Sequence, residues 1–382
     1  MLGLAGSPLV ALGCSRFAYA LLLPAMRTDL GWSFTTAGLM NTVNAFGYLV
    51  GALGTAWVAS RVGPRRAFGW SLGGTVVLLA ATAATRSLEL LLVLRGLLGV
   101  SGAGAFVLGG AITSAISRHH SAHRAAVLVG TYFAGGGVGI VASGLLVPPL
   151  LDGAGPAGWP HGWLALSVLA LVGSAAAVLS ARAAPGGSVQ PGSGRLWVGG
   201  LGWLASGYLL FGAGYIGYMT FVVALLTQLG WGAGAVATFW VALGTAGALS
   251  AVVWAGLLRR ARGGSAAAAL LVLLAVATAI PWGTSSTVAL YASGALFGLC
   301  FLSLVGAVTA AGRDGVDPVD TTAALGMLTT VFALGQVLGP WVTGAIADRT
   351  GGHQVGLGLS AAALALGALL CARQRPRQIP DP

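Results

Sequence analysis

Lysine is absent from this chain: all 19 basic residues are arginine, opposed by only eight acids, of which Glu89 is the single glutamate. Charged residues make up 7% of its 382 residues and hydrophobic ones 57%, against roughly 25% charged in a soluble domain. There is too little polar surface here to cover a water-soluble globule. The missing lysine reads as a genome-composition bias. The excess of arginine does not indicate nucleic acid, because the arginines are scattered between apolar blocks and form no basic face. Only three cysteines occur, Cys14, Cys300 and Cys371, in separate apolar segments without C-x-x-C spacing. Neither a disulfide framework nor a thiolate metal site is indicated. No H-E-x-x-H, no Walker loop and no acidic pair within an apolar segment is found, which removes the intramembrane protease and the nucleotide-driven pump. The first apolar stretch lacks a basic n-region, so no cleaved signal peptide is expected.

What is present is a series of twelve apolar segments, each long enough to cross a ~30 Å hydrocarbon core as a helix. They fall near 4–26, 35–60, 67–84, 89–117, 125–150, 162–181, 196–228, 234–258, 265–283, 288–311, 321–347 and 356–372. The spacing predicts an all-α polytopic membrane protein. If both termini are cytoplasmic, fourteen arginines lie on that side (61, 65, 66, 118, 124, 182, 195, 259, 260, 262, 313, 373, 375 and 377) and three opposite (27, 86 and 349). That asymmetry is the positive-inside rule. Only Arg16 and Arg95 remain inside spans.

The Gly/Pro/Ser-rich stretch RAAPGGSVQPGSGR, residues 182–195, reads as a cytoplasmic linker between an N-terminal six-helix bundle (1–181) and a C-terminal one (196–382) with a short basic tail. Internal similarity supports the division. Gly13, Arg16 and Tyr19 share their spacing with Gly212, Tyr215 and Tyr218, 199 residues on. Gly135, Gly139 and Gly144 match Gly335, Gly339 and Gly344 at an offset of 200. Gly47 and Trp57 match Gly244 and Trp254 at 197, and Gly96 matches Gly294 at 198. Two facing six-helix halves with a site at mid-membrane are the architecture of a secondary transporter.

Several motifs resemble those of the major facilitator superfamily. SRVGPRR resembles the D-R-x-G-x-R-R loop signature through Arg61, Gly63, Arg65 and Arg66, with Ser60 where the family has an acid. LRGLLGVSGAG resembles the R-x-x-x-G motif through Arg95 and Gly99. The G-x-x-x-G-P motif is partial at Gly135 and Gly139, followed by Ile140, and complete at Gly335, Gly339 and Pro340. GAIADRTG, Gly344 to Gly351, repeats the D-R-x-G core at the other end. The run SRFAYALLLPAMRTDLGWSFTTAGLMNTVNAFGYLVGA resembles the YbfB/YjiJ-type branch, which pairs an R-F-A-Y first span with an asparagine-bearing second span. The resemblance implies the twelve-helix major facilitator fold and alternating access. It also implies a cytoplasmic gate at the first motif, and either proton coupling or interhelical bonding for Arg95.

The candidate residues follow from cost. A charge at mid-depth in lipid costs ~3 kcal/mol or more, so Arg16 needs a buried partner or a task. It is read as the anchor for an anionic group. Arg95, two turns inside its span near Arg86 and Glu89, can line a site, bond between helices or snorkel outward. Asn41, Asn44 and Tyr48 share one helical face; Tyr19, Tyr132, Tyr215, Tyr218 and Trp240 are a candidate aromatic lining, and Gln336 a buried amide needing a partner. Small residues at G-x-x-x-G spacing let helices pack closely, and Gly135, Gly139, Gly335, Gly339 and Pro340 are candidate packing pivots. His119, His120 and His123 read as a solvated loop, with Ser121 placed to cap the next helix; Asp320 or Thr321 is placed to cap the eleventh.

No Asp or Glu lies deep in any span; Asp29, Glu89, Asp152 and Asp348 are all near ends. With cations at depth and no acid, an anionic or carboxylate-bearing solute is favoured over a cationic one. Glu89 is the one protein group placed to carry a coupling proton, and a weak-acid substrate would bring its own. The expectation is a monomeric secondary active transporter of a small organic anion in a bacterial inner membrane, without cofactor, metal or catalytic residue and without nucleic acid. The runner-up is a proton-antiporting exporter of amphiphilic or neutral compounds.

Overall fold

The computed structural model describes residues 2–183, 198–351 and 353–376; the predicted linker lies outside them except for its first two residues. Twelve long helices and no strand occur among the described residues. They are α1 (Leu2–Leu30), α2 (Phe34–Val62), α3 (Pro64–Ala83), α4 (Leu88–Ser117), α5 (Ala122–Ala154) and α6 (Trp159–Arg182). The second set is α7 (Gly202–Gln228), α8 (Ala233–Val253, continued by Ala255–Arg260), α9 (Ser265–Gly283), α10 (Thr287–Asp314), α11 (Thr321–Thr350) and α12 (His353–Ala372). Eleven of them are long and apolar enough to cross a membrane. The remaining one, α3, opens on Pro64, Arg65 and Arg66 and is less apolar. Ser33 and Ser87 end the short loops before α2 and α4, each accepting a bond from the helix's first turn (Thr36 N, 3.1 Å; Leu90 N, 3.3 Å).

The two sets of six pack alike. α1 lies against α5 and α6 as α7 lies against α11 and α12; α2 packs on α4 as α8 on α10, and α3 on α4 and α6 as α9 on α10 and α12. Apolar burial gives helices no advantage in lipid, so close backbone approach must supply the contact. Glycine supplies it where the helices cross. A Cβ on Gly139 would stand 2.9 Å from the Gly13 Cα, and one on Gly212 3.1 Å from Gln336 N. Gly135 and Gly139 thus lie against α1, and Gly335 and Gly339 against α7. Between the halves α5 packs on α8, α2 on α11 and the second part of α1 on α7; Gly137 meets Ala248 and Gly38 faces the Pro340 carbonyl.

α1 departs from regular winding. Over Leu9–Phe17 it is π-helical, closed by Ala18 N to Gly13 O at 3.0 Å. Such wide turns are rare and cluster at functional sites. Arg16 sits in this stretch, 4% exposed.

Candidate substrate site between the halves

Arg16 reaches across from α1 to α11, where its Nη2 donates to the Gln336 Oε1. Its guanidinium lies over the Tyr48 ring of α2, 5.1 Å from the centroid. No ion pair is formed by Arg16 among the described residues. Its Nε and the Gln336 Nε2 are buried with no hydrogen-bond partner. These are donors without acceptors, and an unmet buried donor costs ~1–3 kcal/mol. Both residues line a cavity of about 80 Å³. Tyr215, Phe211 and Phe332 form its C-terminal-half wall, and Phe106 and Phe133 close it from the N-terminal half. Chemically, the site is a single buried cation and an amide donor set in an aromatic chamber.

Arg95 belongs to a different cluster. It is fully buried and does not snorkel: Nη1 donates to Ser15 O and Nη2 to Asn41 Oδ1, both at 2.8 Å, and the guanidinium lies against the rings of Tyr19 (4.9 Å) and Trp163 (5.6 Å). Asn44 donates to the Arg95 carbonyl at 3.0 Å, and Asn41 Nδ2 crosses to Thr220 Oγ1 of α7 at 2.8 Å. Glu89 stands apart from this cluster. It is exposed at the helix end and accepts from Ser87 Oγ at 2.7 Å. Arg86 pairs instead with Asp29 at 3.1 Å.

The other candidates divide. Tyr215 and Gln336 join Arg16 at the cavity, with Tyr48 beside them. Tyr132 lies behind Phe106 and Phe133 of the cavity wall, tilted 39° to the first and edge-on at 78° to the second, while its hydroxyl donates to Phe106 O. Tyr218 bonds Ser293 at 2.7 Å inside the C-terminal half, and Trp240 donates to Ser143 across the α5–α8 contact at 3.2 Å. Arg61 covers Trp57, 5.0 Å from its centroid, at the arginine-rich end, and Gly63 beside it takes φ 87° to open α3. His120 bonds Ile116 O through its ring at 3.0 Å. Thr220, Trp163, Phe211 and Phe301 were not legible in sequence, since a threonine or aromatic in an apolar helix carries no sign of what it faces.

At the arginine-poor end the halves are bonded together. Asp348, at the end of α11, accepts from Phe34 N and Thr35 N, each at 2.8 Å, and from Thr35 Oγ1 at 2.5 Å. One half therefore caps a helix of the other, satisfying donors that a helix start leaves open. Thr42 Oγ1 to Val337 O, 2.8 Å, adds a bond nearer the middle. The cavity lies on the arginine-rich side of this seal.

With this geometry in view, a family model described as uncharacterised MFS-type transporter YbfB matches residues 8–372. The chain belongs to that family. No curated protein matches it. Among solved structures it is similar to a bacterial homologue of the human lysosomal transporter Spinster (16% identity, 97% of this chain and 94% of that one, TM-score 0.74). It is also similar to a D323A mutant of the nucleoside transporter NupG (14%, 97% and 99%, TM-score 0.76). A third is the human organic anion transporter MFSD10 (18%, 97% and 99%, TM-score 0.65). At these identities the likeness establishes the fold: this member of the YbfB-type family is a multi-pass major facilitator protein.

Proposed function

We propose that this chain is a secondary active transporter that moves a small organic anion across a bacterial inner membrane by alternating access. The observation that carries the reading is the pair of unpartnered donors, Arg16 Nε and Gln336 Nε2, buried on opposite halves at one cavity. A carboxylate offers acceptors to both and neutralises the one cation. Because the donors come from α1 and α11, binding is felt by both halves, which is what rocking about a central site requires. In its absence the Gln336 carbonyl serves Arg16 as a stand-in acceptor.

The arginine-rich ends face the cytoplasm, following the charge asymmetry. Asp348 then seals the outer side, and the arginine loop with Arg61, Gly63, Arg65 and Arg66 gates the inner one. Arg95, with Asn41 and Asn44, holds α1, α2 and α4 in register. Protons are the coupling ion that suits a weak-acid substrate, which brings its own. The exposed place of Glu89 supports a lesser part for it. The chain works as a monomer, without cofactor or chemical step.

The reading is tested by counterflow. Purified protein is reconstituted into liposomes preloaded with each member of a panel of unlabelled carboxylates, and entry of the labelled form is followed. Saturable entry above protein-free vesicles for at least one carboxylate, lost in Arg16→Ala, is expected. Entry of amphiphilic cations or neutral compounds alone would overturn it in favour of drug or metabolite export.

A further inference from the structure

The chain beyond α12 is anchored, and it holds two arginines at one pocket. Gln374 is buried there. Its Oε1 accepts from Leu204 N in the first turn of α7 at 3.3 Å, and its Nε2 donates to Gly200 O at 2.9 Å. Its own carbonyl accepts from Gly264 N, just before α9, at 3.0 Å. Arg373 and Arg375 flank this anchor, so their backbone is fixed. With Gly200, Trp203 and Gly315 they line an open pocket of about 710 Å³ at the arginine-rich end of the C-terminal half. That is within the ~300–1,000 Å³ of small-molecule sites, and the space is present as the chain stands.

The ordinary task of a cation at a helix C-terminus is to meet the open carbonyls. Here the backbone meets them: Arg373 N donates to Leu370 O and Gln374 N to Cys371 O, each at 3.0 Å. Among the described residues neither guanidinium has a hydrogen bond or an ion pair, and Arg373 lies over the Trp203 ring, 5.2 Å from its centroid. No acid lines the pocket among the described residues, and Asp314, next to Gly315 in sequence, pairs with neither arginine. Trp203 is 47% exposed at the start of a spanning helix, where tryptophans sit at headgroup level.

We propose that this pocket binds the phosphate of an anionic phospholipid, with the guanidiniums of Arg373 and Arg375 as its donors. Arginine matches phosphate oxygens with paired N–H groups, and basic pockets between helices at a cytoplasmic membrane surface take anionic headgroups. The membrane is the source favoured over a free phosphate, because Trp203 and the ends of α7 and α12 put the pocket at the bilayer surface. A zwitterionic headgroup brings an ammonium for which the pocket has no acid, so a lipid of net negative charge is preferred. All of the described lining belongs to the C-terminal half. The bound lipid therefore braces α7 against α12 and leaves the contact between the halves untouched. The site is independent of the solute that Arg16 holds.

Native mass spectrometry of the detergent-purified full chain tests this, with phosphatidylglycerol and phosphatidylethanolamine of matched acyl chains added in turn. The first phosphatidylglycerol is expected to bind about tenfold tighter than the first phosphatidylethanolamine. Arg373→Gln/Arg375→Gln should bring the two lipids to near parity. Arg259→Gln/Arg260→Gln, which removes equal charge at the end of α8 and outside the pocket, should keep the preference. Arg375→Gln alone, a residue with no ring contact among those described, serves if the pair fails to fold and should lose part of the preference. Equal affinity of the two lipids for the wild type, or an equal loss in both double variants, would overturn the proposal. Displacement of phosphatidylglycerol by millimolar glycerol 3-phosphate would assign the pocket to a soluble phosphate and overturn the membrane source.

Discussion

Arg16 and Arg95 are both buried, and their partners divide their tasks. Every Nη bond of Arg95 ends on a fixed acceptor in α1 or α2, and two rings cover its faces. Truncation to alanine would leave Ser15 O and Asn41 Oδ1 unmet at ~1–3 kcal/mol each and open a void beside Tyr19 and Trp163. Arg95→Ala is therefore expected to lower the apparent melting temperature markedly in detergent, whereas Arg16→Ala, which leaves the single acceptor Gln336 Oε1 unmet at an existing cavity, should lower it less. Melting curves of the two purified variants check this; a larger loss for Arg16→Ala would show that Arg16 is scaffold. The importance of both arginines was legible in sequence because a charge in a greasy segment stands out. Their separation into two clusters was not, because it depends on which side of α1 each faces. The π-helical turn that sets this leaves no mark in hydropathy or composition.

At the scale of the helix, the crossings depend on missing side chains. At Gly139 a Cβ would sit 2.7 Å from the Leu9 carbonyl and 2.9 Å from Gly13, backbone that cannot step aside. At Gly54, one helix away, a Cβ would meet nothing within 4 Å. Gly139→Val should thus spread α1 from α5 and lose most folded protein, while Gly54→Ala should be tolerated and firm up α2 by as much as ~1 kcal/mol. The yield of monodisperse protein on size-exclusion chromatography distinguishes them. The spans themselves were readable to within a few residues, since the hydrocarbon core demands long apolar runs and the arginines mark where they stop; the exception is the seventh, placed from 196, whose helix opens only at Gly202 after a turn at Gly199 and Gly200. The repeat was readable for a related reason: glycines at a crossing cannot drift without a clash, so an offset near 199 survives where the apolar residues around it are interchangeable. Which helices a given glycine joins was beyond reach, because G-x-x-x-G states only that some backbone comes close.

For the whole molecule the telling feature is the bond from Asp348 to the first turn of α2, the motif GAIADRTG acting in trans on the other half. Loss of a helix-capping group costs ~0.5–2 kcal/mol, so Asp348→Ala should shift the balance toward an open arginine-poor end by roughly 2–30-fold. Spin labels at Thr28 and Gly234, exposed on opposite halves at that end, should report a longer-distance population in the variant. An unchanged distribution would mean that the capping bond does not hold the seal.

The central claim, that Arg16 holds an organic anion between two moving halves, is tested most directly by the thermal stability of the purified protein across carboxylates, organic cations and neutral amphiphiles, with Arg16→Ala measured in parallel. A solute that binds only the folded chain raises its stability by RT ln(1 + [L]/Kd), so even modest affinity is visible at millimolar concentration. Carboxylates are predicted to stabilise the wild type and to leave Arg16→Ala unmoved. Stabilisation by cations or neutral amphiphiles alone, or an equal response of the variant to carboxylates, would contradict it.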